Sequence, residues 1–190
     1  MNTPAHRVLV ARLDNLGDVL LAGPAVRAVA AAAEVVFLAG PAGAAGASLL
    51  PGVSRVLCFD SPWTGDHAPP PARAAIGALV NTLASARLDE ALVLTSFHQS
   101  PLPLALLLKM AGVARVGAVC VDHPGSLLDL RHPYQPELHE VEQALALAEA
   151  FGYPLPAGDD RRLALAPWAM AAPPPRAELA RPYVVVHPGA

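Results

Sequence analysis

The chain is expected to be an α/β protein built on a doubly wound parallel sheet of the Rossmann-like kind. Three observations lead there. Short apolar runs rich in β-branched residues recur along its 190 residues, a stretch with helical spacing follows each of them, and a carboxylate-bearing turn follows the first. Strands alternating with helices in this way stack as right-handed βαβ units.

The first strand is read at 7–11, apolar enough to be buried on both faces. The turn Arg12-Leu13-Asp14-Asn15-Leu16-Gly17-Asp18 comes next, and Asp18 is placed at the N-cap of a helix that begins at Val19. A carboxylate there accepts free backbone N–H groups and lies at the positive end of the helix dipole. Gly23-Pro24 falls inside the helical pattern, where a proline removes one backbone bond and must bend or restart the helix. A second strand at 34–39 leads to a short helix at 44–50, and a third at 55–59 leads to a helix at 73–86. Residues 60–71 have no periodicity and read as a long surface loop or lid, or equally as a plain connector. The fourth strand is read at 91–95, a helix at 101–110 with Ser100 as its N-cap and Pro101 at its first position, and a fifth strand at 115–119.

Composition narrows the class. With 54% hydrophobic and 15% charged residues, the chain has the material for one packed core. Thirteen basic against 16 acidic residues give a net charge of −3, so no basic face advertises nucleic acid as a partner. Cys58 and Cys120 both sit in apolar runs and are expected to be buried thiols in a reducing compartment. Arg7, Arg12 and Asp14 interrupt any leader-like apolar stretch, and charged residues break the remaining runs short of a membrane span. The expected location is therefore the cytoplasm, without stable membrane insertion. A peripheral contact with the inner face of the membrane is compatible with this.

The turn and the residues after it carry a resemblance. Residues 12–21, with Pro24-Ala25-Val26-Arg27-Ala28 after them, resemble the opening of family 9 glycosyltransferases, the group that includes the ADP-heptose:lipopolysaccharide heptosyltransferases. Residues 94–100 (LTSFHQS) sit where that family carries its acceptor-side loop, and 111–117 (AGVARVG) are similar to one of its strand entries. His139-Glu140-Val141-Glu142 resembles the start of the last helix of its N-terminal domain, and 184–190 (VVVHPGA) looks like the first strand and loop of its second domain. The order and spacing of these motifs cover nearly the whole chain.

The resemblance implies a two-domain GT-B enzyme that transfers a sugar with inversion. The acceptor would be a glycan or a lipid-linked glycan, as in lipopolysaccharide core biosynthesis. The donor would be a nucleotide-diphosphate sugar, ADP-heptose by default, with no cofactor and no metal. It implies Asp18 as the catalytic base, with Leu16, Gly17, His187, Pro188 and Gly189 on the donor side. Gly17 would let the backbone approach the donor closely. The division expected is an acceptor-binding domain at 1–166, a Pro-rich linker at 167–181, and the opening of a donor-nucleotide domain at 182–190. On this reading the chain is the acceptor-side half of the enzyme and inactive alone.

The chemistry of the residues fits such a transfer. Attack of an acceptor hydroxyl needs a base, and a positioned carboxylate contributes about 10²–10⁴-fold. Asp14 competes with Asp18 for that role; alternatively it orients the acceptor or pairs with Arg12. Asn15, Ser96, His98, Gln99 and Ser100 belong to turns at the same edge of the sheet and are candidate acceptor ligands with Asp14. A cap role for Ser100 and a surface role for His98 are the plainer alternatives. The single lysine, Lys109, is remote from the turn, so the clamp for a departing diphosphate is expected beyond Ala190. Metal-ligand spacings are absent, since no H-E-x-x-H occurs. Residues 40–46 (GPAGAAG) lack the G-x-G core of a dinucleotide loop, which disfavours a nicotinamide-dependent oxidoreductase. A non-catalytic glycan-binding or scaffolding domain is the remaining alternative.

Overall fold

The computed structural model describes residues 6–65, 68 and 70–170. Six strands, β1 (Arg7–Arg12), β2 (Glu34–Ala39), β3 (Val53–Cys58), β4 (Glu90–Val93), β5 (Arg115–Val119) and β6 (Leu130–His132), form one sheet. Every neighbouring pair is parallel, and the order across the sheet is β3-β2-β1-β4-β5-β6. Helices α1 (Leu16–Leu21), α2 (Gly23–Ala30), α3 (Ala44–Leu49), α4 (Arg73–Ser85), α5 (Leu102–Met110) and α6 (Glu140–Ala150) cover it. The expected α/β class is thus observed.

Strand alternation sorts the core into two layers. Val8 and Val10 of β1 and Val35, Phe37 and Ala39 of β2 pack with Val26 and Val29 of α2 and Leu147 of α6. Leu9, Ala11, Val36 and Leu38 point the other way, against Leu79 and Leu83 of α4 and Leu104 and Leu108 of α5. Both faces of β1 and β2 are therefore apolar, and each fully buried Leu, Val or Phe stabilises the fold by about 1.5–3 kcal/mol. Two helices end where sequence requires it. After α5 and α6 the chain turns at Gly112 (φ 87°) and Gly152 (φ 104°), conformations that glycine reaches without a Cβ clash. The amides of Val113 and Tyr153 then bond back to the carbonyls of Leu108 and Ala148, closing a Schellman motif at each end.

Several expectations need correction. Helix α1 begins at Leu16, so Asp18 is in its first turn; Asn15 is the N-cap, with no side-chain cap bond. The Gly23-Pro24 interruption, by contrast, restarts the helix as one of its two expected outcomes, and both residues open α2. Pro101 takes the N-cap of α5 with Ser100 just outside it, although the Ser100 hydroxyl still accepts from Leu102 N at 3.4 Å. Cys120 is buried but Cys58 is exposed, because it is on the outermost strand and faces away from the side on which Leu57 joins the core. Strand β6 was not expected, because three residues, two of them Arg131 and His132, present no apolar run. It is reached from β5 through 120–129 without an intervening helix.

Beyond α6, Ala166 N bonds to Leu49 O at 2.7 Å and a 3-10 turn occupies Pro167–Met170. The rest of the expected linker and the strand expected at 182–190 lie outside the described residues, as do His187, Pro188 and Gly189.

Candidate functional site

The strand order fixes where a site can form. From β1 the chain moves outward to β2 and β3, then returns to set β4 on the opposite side of β1. The turns leaving β1 and β4 at their carboxyl ends diverge, and a crevice opens between them. Residues Leu13, Asp14, Asn15 and Asp18 from the first turn face Ser96, His98 and Gln99 from the second across an open cleft of about 460 Å³. Pro41 and Ala42 after β2 and Asp60, Thr64 and Gly65 after β3 complete the wall.

The first turn is braced from below. A Cβ at Gly40 would run into the Leu13 carbonyl oxygen, and one at Gly43 into Val19 and the Asp14 carbonyl. Those glycines are packed against the β1–α1 turn, so 40–46 is a structural buttress with its bare faces turned inward. At Gly17, by contrast, an added Cβ would meet nothing within 4 Å.

Arg12 organises the electrostatics. Its side chain is 5% exposed, and Nε contacts Asp14 Oδ2 at 2.5 Å. That contact is ionic and poorly aligned, since Nε makes no hydrogen bond. Nη1 donates to Glu140 Oε2 at 3.0 Å and Nη2 to Ser96 Oγ at 2.9 Å, while Nη2 stands 3.5 Å from Asp18 Oδ1. One buried guanidinium thus gathers three carboxylates from β1–α1 and the start of α6.

The two competing aspartates differ in surroundings. Asp14 is 6% exposed; besides Arg12, its Oδ1 accepts from Gln99 Nε2 at 2.5 Å and its Oδ2 from Ser96 Oγ at 3.3 Å. Both oxygens are occupied. Asp18 is 32% exposed; its nearest cation atom is Arg12 Nη2 at 3.5 Å, and among the described residues its carboxylate accepts no hydrogen bond. A carboxylate that lines the crevice and accepts no hydrogen bond can accept a proton; the saturated one can hold its neighbours in place.

The other sequence-derived candidates are distributed unevenly. Asn15 and His98 are exposed and reach the cleft. Ser96 and Gln99 also line it but are engaged with Arg12 and Asp14. Ser100 is turned away, donating to Asp122 Oδ2 at 3.0 Å. Leu16 is exposed beside Gly17 at the start of α1, though it does not line the cleft. Lys109 is held on α5 by Asp129 at 2.6 Å, far down the chain from the turn. No Lys or Arg lines the cleft among the described residues, and no group of three metal-ligating side chains occurs among them. Sequence reasoning missed Asp60 and Thr64, although the end of β3 is at the same sheet edge, and it gave Glu140 no role.

This arrangement can be set beside solved structures. Heptosyltransferase II of E. coli matches over 75% of this chain with a TM-score of 0.59 and 20% identity. The fold is that of the heptosyltransferases. A family 9 glycosyltransferase from Veillonella parvula matches over 86% of the chain (TM-score 0.62, 14% identity), and E. coli heptosyltransferase WaaC with ADP over 83% (TM-score 0.58, 19% identity). The chain spans 40%, 45% and 51% of the length of those three structures. No family model and no curated protein matches the sequence. The heptosyltransferase-like fold agrees with the resemblance read from the motifs, from the β1–α1 turn to the start of α6.

Proposed function

We propose that this chain is the acceptor-side half of a family 9 type glycosyltransferase with Asp18 as its base. The observation that carries the reading is the partly exposed Asp18 carboxylate, without a hydrogen bond among the described residues, at the switch-point crevice of a heptosyltransferase-like fold. The donor is a nucleotide-diphosphate sugar, ADP-heptose by default, and the acceptor a glycan or lipid-linked glycan.

The acceptor hydroxyl oxygen bonds to the anomeric carbon on the face opposite the diphosphate. The bond from that carbon to the diphosphate oxygen breaks, and its electron pair departs with the nucleotide. The hydroxyl proton passes to Asp18 as the oxygen acidifies. Arg12 fixes Oδ1 of that carboxylate, and Asp14, held by Ser96 and Gln99, fixes Arg12.

A cleft walled by Asp14, Asp18 and Asp60 would repel a diphosphate by itself. The positive potential for the leaving group therefore comes from a donor domain to which His187, Pro188 and Gly189 contribute, and the 190-residue chain alone turns over poorly or not at all. The reaction is placed in the cytoplasm, with the acceptor presented at the membrane face if it is lipid-linked; among the described residues no helix is long and apolar enough to cross a membrane.

The test is acceptor-dependent release of nucleotide diphosphate by the full-length protein across a panel of nucleotide sugars that includes ADP-heptose. Release with at least one donor is expected. Failure with every donor and acceptor, in a folded preparation, overturns the reading.

A further inference from the structure

Arg12 separates the cleft from a second recess. Its Nη1 side carries Glu140, and beyond it a slot of about 30 Å³ opens between the loop after β4, the end of β5 and the start of α6. Phe97, Asp122, Tyr134 and Gln143 are among its walls. The slot has room for about two water-sized groups, so it admits an arm of a ligand and not a ring. Ser96 and Gln99 line both spaces, so the slot adjoins the cleft that holds Asp18.

Two observations say what the slot would take. Gln143 is 6% exposed; its Nε2 donates to Gln135 O at 2.6 Å, while Oε1 is buried and has no partner among the described residues. A water-stripped amide oxygen lacking a donor is a standing cost, which a ligand O–H would relieve. Phe97 is 65% exposed at the slot mouth and leans on Tyr134, ring centres 5.4 Å apart. Its electron-rich face suits the C–H surface of a saturated ring.

The charges add a selection. Glu140 and Asp122 are the carboxylates of the walls, and the one wall cation, Arg12, is already turned to Asp14, Asp18, Glu140 and Ser96. Arg131 on β6 is outside the walls, its Nε and Nη2 donating to the carbonyls of Cys120 and Val121. Among the described residues the slot offers acceptors and has no spare cation.

We propose that this slot takes a hydroxyl or hydroxymethyl arm of a neutral sugar whose ring rests on Phe97, and that it rejects acidic sugars. The assignment deepens the glycosyltransferase reading and rests on it, since it names the class of the acceptor unit bound beside the reacting one.

The test is an NMR titration of the 190-residue chain with methyl glucoside, methyl galactoside and methyl mannoside, with glucuronate as the acidic comparison. At least one neutral glycoside shifts the Gln143 side-chain amide and Phe97 ring signals, and glucuronate binds roughly tenfold more weakly. Phe97→Ala, a change at an exposed position that leaves the fold intact, weakens the neutral ligand by about fivefold or more. Equal binding of glucuronate, unchanged affinity in Phe97→Ala, or no shift at those signals overturns the proposal. Loss of transfer in Asp18→Asn reports on the reaction and the Phe97→Ala affinity on the slot, so either claim can fail while the other stands.

Discussion

Arg12 and Asp14, two residues apart at the end of β1, form a nearly solvent-free ion pair with Nε 2.5 Å from Oδ2. The pair is the floor on which Ser96, Gln99, Glu140 and Asp18 are arranged. Breaking a buried pair by removing one partner costs about 3–5 kcal/mol, because the other charge is left without compensation. Arg12→Ala is therefore expected to lower the free energy of unfolding by that amount in urea denaturation. A loss below about 1 kcal/mol would mean that the pair is exposed to water in solution.

Gln99 supplies a hydrogen bond to the buried Asp14 carboxylate. Gln99→Ala strands that oxygen at a cost of about 1–3 kcal/mol, and the same measurement reads it. An unchanged midpoint would show that water or another donor takes its place.

The glycines of the site divide by what faces them. Gly43→Ala forces a Cβ onto Val19 and the Asp14 carbonyl, and overpacking of this kind destabilises by about 1–3 kcal/mol. Gly17→Ala meets nothing within 4 Å in a helical turn and leaves stability unchanged or raised by about 0.5–1 kcal/mol. In the full-length protein Gly17→Ala raises KM for the donor if the donor backbone approach is as proposed. Equal thermal melting points for the two variants would contradict this division.

The tie between α2 and the segment after α6 is pH-dependent. Arg27 donates to Asp159 at 2.5 and 2.6 Å, and this hydrogen bond holds the Asp159 carboxyl at about 2, below its ordinary 3.8. A carboxyl depressed in the folded state contributes stability that is complete above about pH 4 and disappears as pH falls through about 2. The stability gap between wild type and Asp159→Asn should close between pH 4 and pH 2 in acid urea titrations. A gap independent of pH in that window would contradict the assignment.

Sequence made some of this legible for physical reasons and hid the rest. Strands β1, β2 and β5 could be read because burial on both faces leaves a continuous apolar run, as in Val8 to Ala11 and Val35 to Ala39. Strand β6 could not, since its edge position lets it carry Arg131 and His132. Asp18 reads from sequence as the cap although the helix starts on Leu16, since Asn15 and Asp18 are both favoured cap residues and sequence alone does not choose between them. The pairing of Asp14 with Arg12 was one of the roles open to it in the turn. The approach of Glu140 to Arg12 spans 128 residues and becomes visible only when α6 folds over the sheet edge. Phe97 and Tyr134 meet for the same reason.

The most direct measurement is the turnover of Asp18→Asn in the full-length protein, assayed with a donor and acceptor that the wild type uses. Replacing the carboxylate with an amide of the same shape keeps the cleft and removes the proton acceptor. The account predicts a fall in kcat of about 10²–10⁴-fold with little change in KM. Turnover equal to wild type would contradict it.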